Sequence, residues 1–199
     1  MLLIILVSYL LGSISTSYLI AKKYAGIDIR TQGSGNAGST NVLRTLGKKA
    51  GICTFLGDFF KGSFAVLIAK YLGEKFGIDS ITAGYLAVAF VVLGHNYPVF
   101  LGFKGGKGVA TTVGSMITIN PIIASICIGV FIVILATTKY VSLASIIAIS
   151  SSSLIMLFIK NYQAFFITLF LSALTIYSHR ENIKRLINGT ERKIGQKKD

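Results

Sequence analysis

The sequence predicts an all-α integral membrane protein of seven transmembrane helices, one of them short, with the N-terminus outside and the C-terminus cytoplasmic. Three observations predict it. The 199 residues are 53% hydrophobic and only 14% charged, where soluble domains run about 45–50% apolar and about 25% charged; the mean hydropathy is +0.71. The apolar residues lie in long runs nearly free of charge, such as Val109 to Thr138, and about 20 such residues cross a bilayer as a helix. The cations, finally, gather in polar stretches that set the sidedness of the chain.

The first run, residues 2–21, has no basic stretch ahead of it, and its first cations, Lys22 and Lys23, come after it. A cleavable leader has the opposite order, so the run reads as a span. Further spans are expected at 50–72, 81–101, 109–119, 121–137, 141–159 and 162–178. The region 109–138 admits one long crossing or two short ones broken at Asn120-Pro121, because proline cannot continue a helical ladder.

Charge parity decides between them. Lys22, Lys23, Arg30, Arg44, Lys48 and Lys49 precede the second span, and Arg180, Lys184, Arg185, Arg192, Lys193, Lys197 and Lys198 follow the last. Both groups favour the cytoplasm, so an even number of crossings separates them. Two crossings in 109–138 give that number. A helix over 109–119 rises only about 16 Å, against about 30 Å of hydrocarbon. Its start then lies below the membrane surface, where irregular backbone is tolerated only inside protein or against a wet cavity. The chain, 1–199, reads as a single polytopic membrane domain with three cytoplasmic-side loops, 33–44, 102–108 and 177–191.

The net charge of +13 follows from the same bias. It does not point to nucleic acid, which needs a basic face on a water-exposed module. Cys53 and Cys127 lie far apart in apolar segments and read as small core residues, without a disulfide framework or metal spacing.

Gly33, Gly35 and Gly38 match a dinucleotide-binding pattern literally. They follow a membrane helix and the polar "KKYAGIDIRTQ" instead of a buried strand, so the Rossmann reading fails. Two readings stay open for 33–44. It is an ordinary loop near a membrane surface, or an anion-binding one in which glycine backbone approaches the ligand. In the second reading Ser34 and Asn36 offer hydrogen bonds and Arg44 a planar fork.

In "GHNYPVFLGFKGGKGVATT", Gly108 stands where a Walker A loop needs Ser or Thr. Gly105, Gly106 and Gly108 nevertheless lie at the start of a helix, with Lys104 and Lys107 between them. Free N–H groups, the helix dipole and two cations make an anion site. The plainer reading is a turn whose lysines snorkel to headgroups, to which three glycines add nothing.

In "YSHRENIKRLINGTERK", Asn182 and Arg185 follow His179 at i+3 and i+6 on one helical face. Taken alone, this is a membrane-surface helix with solvated charges. Asp58 and Lys61, three apart in the second span, can pair on one face; they are a functional site or a structural ion pair. His95 reads as a hydrogen-bonded core histidine near a bend more readily than as a base. The sequence has no carboxylate cluster for Mg²⁺ and no Cys/His set for zinc. Phe100 and Lys184 stand five residues after the two histidines, so the His-x4-Asp dyad of soluble glycerolipid acyltransferases is missing.

Taken together, "SGNAGSTNVLR" (34–44), "GHNYPVFLGFKGGKGVAT" (94–111) and "HRENIKRLINGTE" (179–191), with "GDFFKG", resemble the signature motifs of the bacterial acyl-phosphate:glycerol-3-phosphate acyltransferases. The resemblance runs nearly the whole chain in order. One departure is Ala37, where the family typically has proline after Ser-Gly-Asn, a change expected to loosen the loop and leave its polar groups in place.

The resemblance implies an enzyme of the bacterial inner membrane, with its motifs facing the cytoplasm. It would move an acyl group from acyl phosphate to the sn-1 hydroxyl of glycerol-3-phosphate, giving lysophosphatidic acid and phosphate in the first step of phospholipid synthesis. No cofactor, no metal and no nucleic acid is implied; the partners are the two substrates and membrane lipids. Ser34, Lys104, His179 and Asn182 become catalytic candidates. Gly35, Asn36, Thr40, Asn41, Arg44, Gly105, Gly106, Lys107, Gly108 and Thr111 become candidates for binding substrate phosphate, with Asp58, Lys61 and His95 secondary. Two alternatives stand beside it. An anion or phosphate transporter would favour midplane groups and related halves, and no internal repeat is seen. A lipid acyltransferase could also draw on acyl-CoA or acyl carrier protein.

Overall fold

The structure is a computed structural model and describes residues 1–196; Lys197 and Lys198, counted above among the tail cations, lie outside the described residues. The described residues form helices and no strand. They fall into two compact units, one ending at Ile119 and the other beginning at Asn120.

In the first unit the run read as one span is two helices, α1 (Leu2–Ser13) and α2 (Thr16–Ala25). Ser15 caps α2 by accepting from the Tyr18 amide. Across the break, the buried Lys61 ammonium takes the Gly12 and Ile14 carbonyls at 3.0 and 2.8 Å. A carbonyl leaving a helix inside an apolar layer needs such a donor, and this one sits 47 residues along the chain from Ile14.

The stretch expected as a loop over 33–44 is a loop only to Gly38. From there "STNVLRTL" forms α3 (Ser39–Leu46), with Asn41 and Val42 buried and Arg44 exposed. Gly47, at φ +87°, turns the chain into α4 (Lys48–Lys75). α5 (Ser80–Asn96) follows, with a 3-10 turn at Val99–Leu101, and then α6 (Val109–Ile119), the short helix expected from parity.

Small residues let these helices approach backbone to backbone. A side chain at Gly114 on α6 would strike the Phe59 carbonyl of α4, and one at Gly12 on α1 the Val91 carbonyl of α5.

The second unit holds α7 (Pro121–Thr138), α8 (Val141–Phe158), α9 (Tyr162–Ser178) and α10 (Arg180–Ile187). The expected break at Asn120-Pro121 is present. Asn120 caps α7 by accepting from the Ile123 amide at 3.2 Å, and Pro121 opens the helix, where its missing N–H costs nothing. Between α8 and α9, Ser172 donates to the Ile149 carbonyl and lies 3.3 Å from the Ser153 hydroxyl.

Among the described residues, five stretches are long and apolar enough to cross a membrane: Leu2–Ala25, Lys48–Lys75, Ser80–Leu101, Pro121–Thr138 and Val141–Phe158. Val109–Ile119 and Tyr162–Ser178 are shorter apolar helices. Many apolar side chains point outward, among them Phe60, Phe64 and Ile132. Cys53 is one of the outward residues and Cys127 is half-buried, which corrects their reading as core. Apolar character does not separate a core face from a lipid face in a membrane helix, because hydrocarbon suits both.

Candidate active site

The first glycine-rich loop is built from behind. Asp28 opens the 3-10 turn Ile29–Thr31 by accepting from the Arg30 amide at 3.0 Å. Its carboxylate also takes the Arg30 guanidinium, at 2.6 Å to Nη2, while Arg30 Nη1 donates to the Leu101 carbonyl at 2.7 Å. The hydrogen bond from Arg30 holds the Asp28 carboxyl below the usual carboxylate range. This arginine, absent from the sequence candidates, ties the start of the first loop to the turn that precedes the second.

Asn41 does the remaining work. It is buried, and its Oδ1 accepts from the Ser34 amide at 3.0 Å. Its Nδ2 faces the Ile29, Gln32 and Asn36 carbonyls at 3.2, 3.0 and 3.0 Å. A side chain at Gly33, which has φ +58°, would run into Asn41 Oδ1. Asn41 was expected to face a phosphate; its amide is instead the internal post of the loop. Ser34 and Gly35 are left exposed at the tip, and Asn36 and Thr40 half-buried.

The second loop hangs from the end of α5. The Gly105 amide donates to the Asn96 carbonyl at 3.2 Å and the Gly106 amide to the His95 carbonyl at 3.1 Å. Two of the N–H groups expected to be open to an anion are therefore engaged in the fold. The first-turn amides of α6, from Val109, have no intrahelical acceptor by geometry. Gly108 reaches that helix at φ +75°, and Lys104 is exposed on the loop. Thr111 turns away: it is fully buried, with Oγ1 3.3 Å from His95 Nδ1.

The two loops touch. The Ala37 amide donates to the Gly105 carbonyl at 3.3 Å. Ala37 was expected to loosen its loop, yet it supplies an inter-loop bond that proline, lacking an N–H, cannot make. Beneath them Asp58 and Lys61 pair at 3.0 Å, as their spacing allows. His95 Nδ1 lies 3.5 Å from Asp58, and all three are buried.

In the second unit His179 is buried at the end of α9, its Nδ1 2.9 Å from the Thr175 carbonyl. A carbonyl only accepts, so Nδ1 carries the hydrogen, and in the neutral ring Nε2 carries the lone pair. Asn182 and Arg185 do share a face, as read from their spacing. Asn182 Nδ2 and Arg185 Nε donate to the two oxygens of Glu191 at 2.6 and 2.7 Å, and the Ser142 hydroxyl donates to the same carboxylate at 2.7 Å. Burial pushes the Glu191 carboxyl up, but the bonds from Asn182, Ser142 and Arg185 outweigh it and leave the net shift downward. Glu191, the last residue of the third motif, is not among the residues that the sequence singled out.

Membrane-length apolar helices joined by glycine-rich polar loops, with exposed cations beside a helix start, fit a class of integral membrane proteins that handle small anions. Comparison with known proteins narrows the class. A family model described as glycerol-3-phosphate acyltransferase matches residues 2–189. The chain is 61% identical over 197 residues to a glycerol-3-phosphate acyltransferase of Clostridioides difficile (strain 630), covering 99% of this chain and 97% of that one. It is 50% identical over 197 residues to one of Alkaliphilus metalliredigens (strain QYMF), covering 98% and 97%.

Among solved structures it resembles PlsY (YgiH), an integral membrane glycerol 3-phosphate acyltransferase, in its glycerol 3-phosphate form. The TM-score is 0.86 at 46% identity, covering 98% of this chain and 95% of that one. The lysophosphatidic acid form gives a TM-score of 0.84 at the same identity and coverage. The chain belongs to the glycerol-3-phosphate acyltransferase family.

Proposed function

We propose that this chain acylates the sn-1 hydroxyl of glycerol-3-phosphate with acyl phosphate as donor, at the cytoplasmic side of the bacterial inner membrane. The observation that carries the reading is the contact between the two glycine-rich loops, made by the Ala37 amide on the Gly105 carbonyl at 3.3 Å. It brings the Ser34 to Gly38 loop beside Lys104 and the start of α6. Both substrates carry phosphate, so an enzyme for this reaction has to hold two anions close together and neutralise their charge.

In the reaction the glycerol oxygen attacks the acyl carbonyl. The bond between that carbonyl carbon and the bridging phosphate oxygen breaks, and phosphate leaves with the electron pair. The mixed anhydride is already activated, so no enzyme nucleophile is needed. The proton of the hydroxyl ends on the departing phosphate, directly or by way of His179.

Lys104, Lys107, Gly108 and the first amides of α6 take the donor phosphate in this reading. Ser34, Gly35, Asn36, Thr40 and Arg44 face the acceptor. Asn41, Gly105 and Gly106 serve by shaping the loops, and Thr111 serves through His95. The roles of His179 and Asn182, in orienting the acceptor hydroxyl and its phosphate, are carried by the sequence resemblance.

The membrane arrangement that fits this reaction is seven crossings, with the amino end outside and the carboxyl end cytoplasmic. The five long and two short apolar helices and the parity of the cations support it. A fatty chain then lies in the bilayer while the polar acceptor arrives from the cytosol.

The test is a donor comparison on purified protein with glycerol-3-phosphate, offering acyl phosphate, acyl-CoA or acyl carrier protein in turn. Lysophosphatidate formed from acyl phosphate, with the other two donors inert, is the expected result. Turnover with either of the others and none with acyl phosphate would overturn the donor assignment.

A further inference from the structure

A buried cluster where α4, α5 and α6 meet makes and breaks no bond in the reaction just described. Lys61 Nζ binds Asp58 Oδ1 at 3.0 Å and the Gly12 and Ile14 carbonyls at 3.0 and 2.8 Å. Asp58 Oδ1 lies 3.5 Å from His95 Nδ1, and the Thr111 hydroxyl lies 3.3 Å from the same nitrogen. One edge of the imidazole is thereby flanked by two residues from two other helices, Asp58 of α4 and Thr111 of α6. Its opposite edge meets the second glycine-rich loop: a side chain at Gly106 would overlap His95 Nε2 and come within 3.0 Å of Cδ2.

Gly106 is a glycine for want of space. Gly108 has a left-handed backbone at φ +75°, and Gly106 is not among the positive-φ residues. The space is filled mainly by the histidine ring, with the Ala37 carbonyl of the first loop 2.7 Å from where a Cβ would sit. The main chain repeats the contact, since the Gly106 amide donates to the His95 carbonyl at 3.1 Å.

We infer that His95 is a positioning residue for the phosphate loop. Its ring, steadied by the Asp58–Lys61 pair and Thr111, is the stop against which Gly106 rests. It thereby sets where Lys104 and the start of α6 stand relative to the 33–38 loop. The inference rests on the proposed function only for the nature of the ligand. A histidine that merely satisfied its own polar groups in a core would alter the amount of folded enzyme and leave substrate affinity alone. A stop for the loop alters affinity.

The test is a double-mutant cycle on the full chain in detergent, with initial rates measured against acyl phosphate. His95→Ala is expected to raise KM for acyl phosphate about tenfold with kcat within about threefold of wild type. Gly106→Ala, which drives a methyl into the ring, should raise KM further, by about thirtyfold. In the combined variant the vacated ring space receives the methyl, so KM should return to within about threefold of His95→Ala alone. His95→Asn keeps a polar group facing Asp58 and Thr111 but removes the ring edge beside Gly106. It should give the same readings if the alanine variant does not accumulate.

An unchanged KM with a loss of kcat in the His95 variants, or multiplied losses in the combined variant, overturns the inference. If wild-type protein does not turn over acyl phosphate, the proposed reaction fails on that control. The contact is then read from the unfolding temperatures of the same four proteins, where non-additive shifts support it and additive shifts overturn it.

Discussion

The 104–108 loop and the 179–191 segment both present cations beside a helix, but they are held in opposite ways. Backbone holds the first: the Gly105 and Gly106 amides reach the end of α5, and the Gly105 carbonyl takes the Ala37 amide. Lys104 stands exposed on it. One side chain holds the second, because Ser142, Asn182 and Arg185 all close on Glu191. The difference teaches where each can be damaged. The glycine loop should tolerate the loss of a side chain structurally while losing function, and the third motif should loosen when a single carboxylate is changed.

The largest expected effect is on the first of these. Lys104→Ala should lower kcat/KM by about a hundredfold or more, as removal of a charged group that neutralises a departing phosphate does. Membrane insertion and unfolding temperature should stay at wild-type values. Wild-type turnover in this variant would remove Lys104 from the anion site.

Asn41→Ala sharpens the contrast, since the 33–38 loop is held by a side chain as well. The Ser34 amide and the Asn36 carbonyl lose this contact, while the Ile29 and Gln32 carbonyls lose it but keep the Gln32 and Gly35 amides; the cost should be of order 2–4 kcal/mol, read as a lower unfolding midpoint in detergent. A variant that loses activity with an unchanged midpoint would return Asn41 to the role of ligand.

Glu191→Gln is smaller. The amide keeps one acceptor oxygen but presents a donor to Arg185, and the loss should be about 1–2 kcal/mol. Added glycerol-3-phosphate should not restore it.

The smallest effect is on acid stability. The Glu191 carboxyl is held below its ordinary value when folded, so its contribution is fully present above the ordinary glutamate pKa of about 4. It is lost as pH falls through the lowered folded value. An unfolding midpoint that drops below about pH 4 in wild type, and drops less in Glu191→Gln, is expected; parallel curves would contradict it.

The sequence was most informative where the deciding chemistry is local. Asn120-Pro121 ends one helix and opens the next, and the eleven residues after Gly108 give a short helix, so both elements could be read in order. The break at Ile14-Ser15 could not, because the ammonium that satisfies it comes from Lys61 on another helix. Glycine density between 33 and 38 hid the eight-residue helix that begins at Ser39.

The candidate site divides in the same way. Spacing alone placed Asp58 with Lys61 and put Asn182 and Arg185 on one face. It could not show that Asn41 faces inward, that two glycine amides are engaged, or that Glu191 closes the third motif. Each of those depends on which neighbour the fold brings up. Cys53 fails for a further reason: a helix that is apolar all round does not announce which side meets lipid.

The central claim is direct transfer between two phosphorylated molecules held by backbone amides and cations, with no acyl group passing through the protein. Rapid-quench mixing of the purified chain with acyl phosphate labelled in its acyl group, first without and then with glycerol-3-phosphate, tests it most directly. The account predicts no labelled protein and no phosphate burst until the acceptor arrives, and then lysophosphatidate and phosphate in equal amounts. Label on the protein that chases into lysophosphatidate, or phosphate released ahead of the acceptor, would contradict it.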